Sequence, residues 1–164
     1  MIRTAVISKD GVYRYQLYRE WDADLPAILF VMLNPSTADG TSDDPTIRRV
    51  VNFAKSWGYG RVYVANLFAF RSTDPKGLRS TRDPVGPENV GIVADLVSKA
   101  SRTVYAWGNG RAEPEWLRSL VRTPYCIQTG KHGVPKHPLF MRKDSSLKAF
   151  REEDVESFGK EWCF

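Results

Sequence analysis

Residues 27–39 read AILFVMLNPSTAD. Seven consecutive apolar residues empty directly into an asparagine, a proline, two hydroxyls and a carboxylate. A strand with one wet face alternates apolar and polar residues, whereas an unbroken apolar run bounded by turn formers suits a strand covered on both faces. AILFVML therefore predicts the central strand of an α/β sheet. In open sheets of that kind ligands bind outside the carboxyl ends of the strands. The segment Asn34-Pro35-Ser36-Thr37-Ala38-Asp39 is thus either a plain connector or the rim of a site.

Downstream, Asp44 is a plausible helix N-cap with Pro45 in the first helical position. Ile47, Val50, Val51 and Ala54 follow at helical spacing, and Gly58 or Gly60 can end the helix. RVYVANLFAF (61–70) reads as a second buried strand, and the Pro- and Gly-rich stretch 71–87 as a long loop. Residues 88–100 read as a helix with Val90, Val93, Ala94 and Val97 on one face. RTVYAWGN (102–109) is a third strand, EPEWLRSLVR (113–122) a short helix and YCIQT (125–129) a fourth strand. GKHGVPKHPLFM (130–141) is a loop holding both histidines. Upstream, Asp10-Gly11 between two β-rich runs signals a hairpin, with Val12, Tyr13, Tyr15, Leu17 and Tyr18 carrying the alternation of a half-exposed strand.

Alternating strands and helices over 27–129 predict a three-layer α/β/α sandwich with a mostly parallel central sheet and an N-terminal β-hairpin. The expected organisation is a single domain over 1–164, with hairpin 4–18, α/β core 27–141 and a C-terminal tail 142–164 of helical tendency. At 164 residues, 42% hydrophobic and 26% charged, the chain has the composition of an ordinary globular domain. A net charge of +5 permits a polyanionic partner without requiring one. Two cysteines, Cys126 and Cys163, and two histidines, His132 and His137, make neither a disulfide framework nor a zinc site. No run approaches a membrane span, and MIRTAVISKDGVYRY lacks signal-peptide character. The expectation is a cytoplasmic protein without membrane contact or cofactor.

Four strand ends carry the residues of chemical interest. The first delivers Asn34, Pro35 and Ser36. The second ends in Asn66, Leu67 and Phe68, with Arg71 close behind. The third ends in Trp107 and Gly108, and the fourth leads through Lys131 and Lys136 to His137-Pro138. If these strands are parallel, all four ends meet at one edge and form a cleft. Singly, each has a structural reading: turn residues at Asn34-Pro35, a strand-end amide at Asn66, a core indole at Trp107, an extended loop at His137. Asp39, Asp43 and Asp44 read first as caps or solvated charges, although a carboxylate cluster suits Mg²⁺. A phosphate loop, a dinucleotide fingerprint and a GxSxG elbow around Ser36 are all missing.

As a set, MLNPSTAD, DDPTIRR, VANLFAFRSTDP, VGPEN, AWGN and GVPKHPLFM resemble the family called domain of unknown function 1643 (DUF1643), over residues 4–141. The same motif order more distantly resembles the uracil-DNA glycosylase superfamily. That resemblance implies a uracil-DNA glycosylase-like fold in which Asn34, ahead of Pro35, positions an attacking water and Asn66 reads a base. It further implies that Trp107-Gly108 closes the third strand and that the His137-Pro138 loop supports the departing base. Here Leu139-Phe140 follows His137-Pro138 where that superfamily has serine, and Met32 stands where it has glycine.

The function these residues suggest is a glycosylase-like domain that binds a nucleobase, nucleotide, DNA or RNA and cleaves an N-glycosidic bond. Asn34 and His137 would be catalytic. Pro35, Ser36, Asn66, Phe68, Trp107 and Gly108 would hold the base, and Arg71, Lys131 and Lys136 would meet phosphates. Two alternatives stand beside it: a non-catalytic nucleic-acid-binding module, and a metal-assisted enzyme using Asp39, Asp43 and Asp44 on a small nucleotide-like metabolite.

Overall fold

The computed structural model describes residues 1–35, 38–72, 75–108 and 110–151. Seven strands form one sheet: β1 (Ile2–Ile7), β2 (Arg14–Glu20), β3 (Ala27–Met32), β4 (Arg61–Asn66), β5 (Arg102–Tyr105), β6 (Tyr125–Cys126) and β7 (Lys148–Ala149). Four helices accompany them: α1 (Pro45–Ser56), α2 (Pro75–Ser80), α3 (Asn89–Lys99) and α4 (Glu115–Leu120). The spatial order is β1-β2-β4-β3-β5-β6-β7.

All six residues of β3 are buried, as the AILFVM run requires. Ile28, Phe30 and Met32 enter a core shared with Ile47, Val50, Val51, Phe53 and Ala54 of α1. Leu29 and Val31 enter a second core with Val93 and Leu96 of α3 and Leu117 of α4. The period-2 alternation of the strand thus feeds two cores on opposite faces. Asp44 caps α1 by accepting from the Ile47 backbone N–H at 2.8 Å, with Pro45 next.

The sheet is mixed rather than mostly parallel. Pairs β3–β4, β3–β5 and β5–β6 are parallel, while β1–β2, β2–β4 and β6–β7 are antiparallel. The parallel part is the inner four strands that the alternating pattern identified. The hairpin does not stand apart from them: β2 pairs with β4 from Leu17↔Val64 to Glu20↔Arg61 and so extends the sheet. Its turn matches the Asp10-Gly11 signal, with Gly11 at φ +76° and the Ser8 N–H donating to the Tyr13 carbonyl.

Other elements differ in extent. The fourth strand covers only Tyr125–Cys126, because the backbone from Gln128 onward turns to meet the Lys136 segment. The expected loop 71–87 contains the short helix α2. In α3 the buried line is Asn89, Val93 and Leu96, and Val90 is exposed, so the inward face lies one position away from the predicted one. The tail supplies β7 on the sheet edge, and its expected helix over 152–164 lies outside the described residues. Among the described residues no helix is long and apolar enough to cross a membrane.

Candidate functional site

Register decides which polar residues can meet. Met32 on β3 pairs with Asn66 on β4, and Val31 pairs with Tyr105 on β5. The three parallel strands therefore end at the same level, and Asn34, Asn66 and Trp107 leave the sheet together. Because β2 runs antiparallel to β4, its beginning lies at the edge where β4 finishes. That places Arg14 beside the strand ends.

Arg14, Asn34, Asn66, Trp107 and His137 line one cavity of about 190 Å³, with Asp44, Thr46 and the apolar Met32, Leu33, Ile47 and Val64 completing its wall. Asn66 is 1% exposed, and neither polar atom of its amide makes a hydrogen bond among the described residues. Leaving such a donor and acceptor unmet costs about 1–3 kcal/mol for each group. Asn89, on α3, holds the strand end from behind: its Nδ2 donates to the Asn66 carbonyl at 2.9 Å and to the Leu67 carbonyl at 3.4 Å. In Asn34, Nδ2 donates to the Ser72 carbonyl at 2.7 Å and the Pro35 carbonyl at 3.2 Å. Two carbonyls on one side of the amide fix its orientation and leave Oδ1 as the acceptor.

His137 caps a short 3₁₀ turn over Pro138–Phe140, its Nδ1 accepting from the Leu139 N–H at 3.2 Å. The proton of the neutral ring is therefore on Nε2. Burial holds its pKa below the usual value, opposed by the Asp44 carboxylate, so the ring is neutral at pH 7. Gly108 lets this loop approach. It has φ +65°, its N–H donates to the Pro135 carbonyl at 2.9 Å, and a Cβ there would lie 3.3 Å from the His137 Cβ.

His137 also lines a second, larger cavity of about 480 Å³ with Gly108, Lys131, Val134, Lys136 and Phe140. Lys131 and Lys136 make no ion pair among the described residues. The expected phosphate contacts are therefore divided, since Arg71 lines neither cavity and its guanidinium donates to the Gly11 carbonyl at 3.4 Å.

The expected base-stacking rings are also otherwise engaged. Trp107 lines the polar cavity but is 1% exposed, with its Nε1 donating to the Arg111 carbonyl at 2.8 Å and its ring 4.7 Å from that of Tyr105. Phe68 lies in a different small cavity with Leu67 and Trp116, under the Arg111 guanidinium at 4.8 Å. Pro35 does not line the cavity but supplies carbonyl contacts, and Ser36 lies outside the described residues. His132 stays exposed and lines neither cavity.

The three aspartates separate. Asp39 accepts from the Thr41 and Ser42 backbone N–H groups, which lower its pKa to about 2. Asp43 pairs with Arg19 at 2.8 Å, and Asp44 caps α1. Among the described residues no group of three His, Cys, Asp or Glu side chains gathers to hold a metal ion. Cys126 is 1% exposed, and burial pushes its thiol up to about 11, which makes it inert at neutral pH.

Comparison with protein families matches residues 14–139 to DUF1643, described as a protein of unknown function. The chain belongs to the DUF1643 family. The matched stretch of this DUF1643 protein opens at Arg14 and contains every residue that lines the polar cavity. It leaves out β1 and β7, the two outermost strands. No curated protein and no solved structure matches the chain, so the more distant resemblance to uracil-DNA glycosylases receives no support from them.

Arg14 is the site residue of this DUF1643 chain that strand-end reasoning passes over. It is 3% exposed, and its Nη1 donates to the Ala38 carbonyl at 2.6 Å. The register step from Val6↔Gln16 to Ile7↔Arg14 leaves Tyr15 as an extra residue, a bulge. The bulge shifts Arg14 onto the side of Leu17 and Arg19, against the alternation of the sequence. The signal available beforehand was a charged residue beside an apolar strand phase, with no way to see the bulge.

Proposed function

We propose that the polar cavity binds a nucleobase-like ring, as a free base, a nucleotide or a base extruded from nucleic acid. The observation that carries this reading is the buried Asn66 amide, which lines the cavity without a hydrogen-bond partner among the described residues for either polar atom. Native proteins rarely keep such groups unmet unless a ligand or ordered water completes them. A primary amide offers one donor and one acceptor side by side, which complements the donor–acceptor edge of a pyrimidine or purine. A volume of about 190 Å³, below the usual range for drug-sized ligands, suits a single small ring.

Cleavage of an N-glycosidic bond is the reaction this arrangement supports best. Water attacks the anomeric carbon while the base leaves with the bonding electron pair, and the proton lost by the water ends on the departing base. The Asn34 Oδ1 would orient the water by accepting from it, without acting as a strong base. The His137 Nε2–H would donate to the base oxygen where charge develops. Lys131 and Lys136, on the adjoining cavity, would meet a phosphate.

Calorimetric titration with the free bases and their nucleosides, and incubation with a panel of modified-base oligonucleotides scored for abasic sites, test the two parts separately. Saturable binding by a base or nucleoside, lost at least tenfold in Asn66→Leu, is expected. Cleavage should vanish in Asn34→Ala. Failure of every base, nucleoside and oligonucleotide to bind would refute the reading. Salt-sensitive oligonucleotide binding that survives Asn34→Ala and His137→Ala, but not loss of Arg71 and Lys136, would instead establish a non-catalytic nucleic-acid-binding module.

A further inference from the structure

The polar cavity contains a buried cation that makes no direct ion pair among the described residues, with the Asp44 and Asp39 carboxylates supporting its charge only from a distance. Arg14 is 3% exposed and lines the same wall as Asn66 and His137. Its Nη1 is held by the Ala38 carbonyl, and among the described residues neither Nε nor Nη2 makes a hydrogen bond. No carboxylate of the described residues lies within ion-pair distance of it. The other buried arginine, Arg19, has all its donor nitrogens engaged: its Nε pairs with Asp43, and Nη1 and Nη2 meet backbone carbonyls. Asp44, the acidic residue on the cavity wall, has Oδ1 engaged at the α1 N-terminus, where the helix dipole also draws on its charge. Burial lowers the Arg14 pKa to about 10, which still leaves it charged at pH 7.

A buried guanidinium without a direct ion pair is costly to keep charged, and a bound anion would offset that cost. A carboxylate or a similar planar oxyanion fits the two remaining donors in a forked contact. We infer that the polar cavity selects a ring bearing an anionic oxygen group, and that Arg14 is the residue that selects it. This inference rests on the reading of the cavity as a base site. It narrows the substrate class from nucleobases in general to acidic heterocycles, of which a pyrimidine carboxylate is the simplest.

The test compares three probes by calorimetry on the full chain: uracil, uracil-6-carboxylate and uridine 5′-monophosphate. Wild type should bind the carboxylate about ten- to a hundredfold more tightly than uracil, as a charge-assisted pair predicts. Arg14→Gln should abolish that preference, bringing the affinities for uracil and its carboxylate within about twofold of each other. Arg14→Lys, which keeps the charge but loses the fork, should retain a reduced preference, and it decides the matter if Arg14→Gln does not fold. Equal affinity of wild type for uracil and its carboxylate overturns the inference and leaves the base reading standing. A preference confined to the monophosphate, kept in Arg14→Gln and lost in Lys131→Ala with Lys136→Ala, also overturns it, by assigning the anion to the larger cavity. If none of the probes binds, the inference falls, and the base reading is decided separately by the wider panel of bases, nucleosides and oligonucleotides.

Discussion

At the scale of the residue, Asn66 and Gly108 make opposite demands on the fold. Asn66 contributes an unmet amide, so replacing it with leucine removes an energetic debt along with a binding group. We expect Asn66→Leu to melt at or above the wild-type temperature without ligand and to lose ligand binding, a pairing that a purely structural asparagine would not produce. Gly108→Ala places a side chain at φ +65° and 3.3 Å from the His137 Cβ. A cost of about 1–2 kcal/mol follows from the left-handed backbone alone. Thermal denaturation should register it as a drop of roughly 2–8 °C, with weakened ligand binding as the His137 loop shifts. His137 itself has a folded pKa below its unfolded value, because burial disfavours the charged ring. The unfolded chain therefore binds the proton first as pH falls, so stability declines once pH drops below the ordinary histidine range near 6.5. His137→Gln should flatten that portion of a pH–stability profile, leaving the carboxylate-driven loss at lower pH.

At the scale of the element, β2 shows where local pattern and sheet geometry part. The inward positions Tyr15 and Leu17 are legible, and both are buried. What the pattern hides is that Arg19, fully buried, ties β2 to the segment after β3 through Asp43 and the carbonyls of Asp39 and Ser42. Removing one member of a buried ion pair strands the rest, so Arg19→Ala should destabilise by about 3–5 kcal/mol in chemical denaturation. Asp44→Ala should cost less, about 1 kcal/mol, since it removes one cap from α1. The helix α1 was readable in full from its cap, its proline and its apolar spacing. The stretch 71–87 was not, because Pro, Gly and Ser dominate it and α2 is only six residues long. In α3 the inward face includes Asn89, buried to bind the end of β4, a placement that polarity alone argues against.

At the scale of the whole molecule, the last described residues close the face opposite α1. Phe150 packs edge-on against Tyr105 at 5.1 Å and Trp107 at 6.5 Å, and Arg151 meets both oxygens of Glu113 at 2.8 and 2.7 Å. Glu113 is 8% exposed and Arg151 11%, so Arg151→Met would leave a carboxylate in a dry setting. A loss of about 3–5 kcal/mol is expected, read in a melting curve as a fall of roughly 6–20 °C. The sequence by itself determined the inner strands, the α1 helix and the hairpin turn, and it put Asn34, Asn66, Trp107 and His137 at or after strand ends that meet if the strands run parallel. Apolar runs and helical spacing are local, and parallel strands must end on the same side. Only the tertiary structure decided that β2 runs antiparallel beside β4, that a one-residue bulge turns Arg14 inward, and that Phe68 and Arg71 point elsewhere. Strand neighbours, bulges and side-chain partners are set by contacts between distant parts of the chain, and no local period records them.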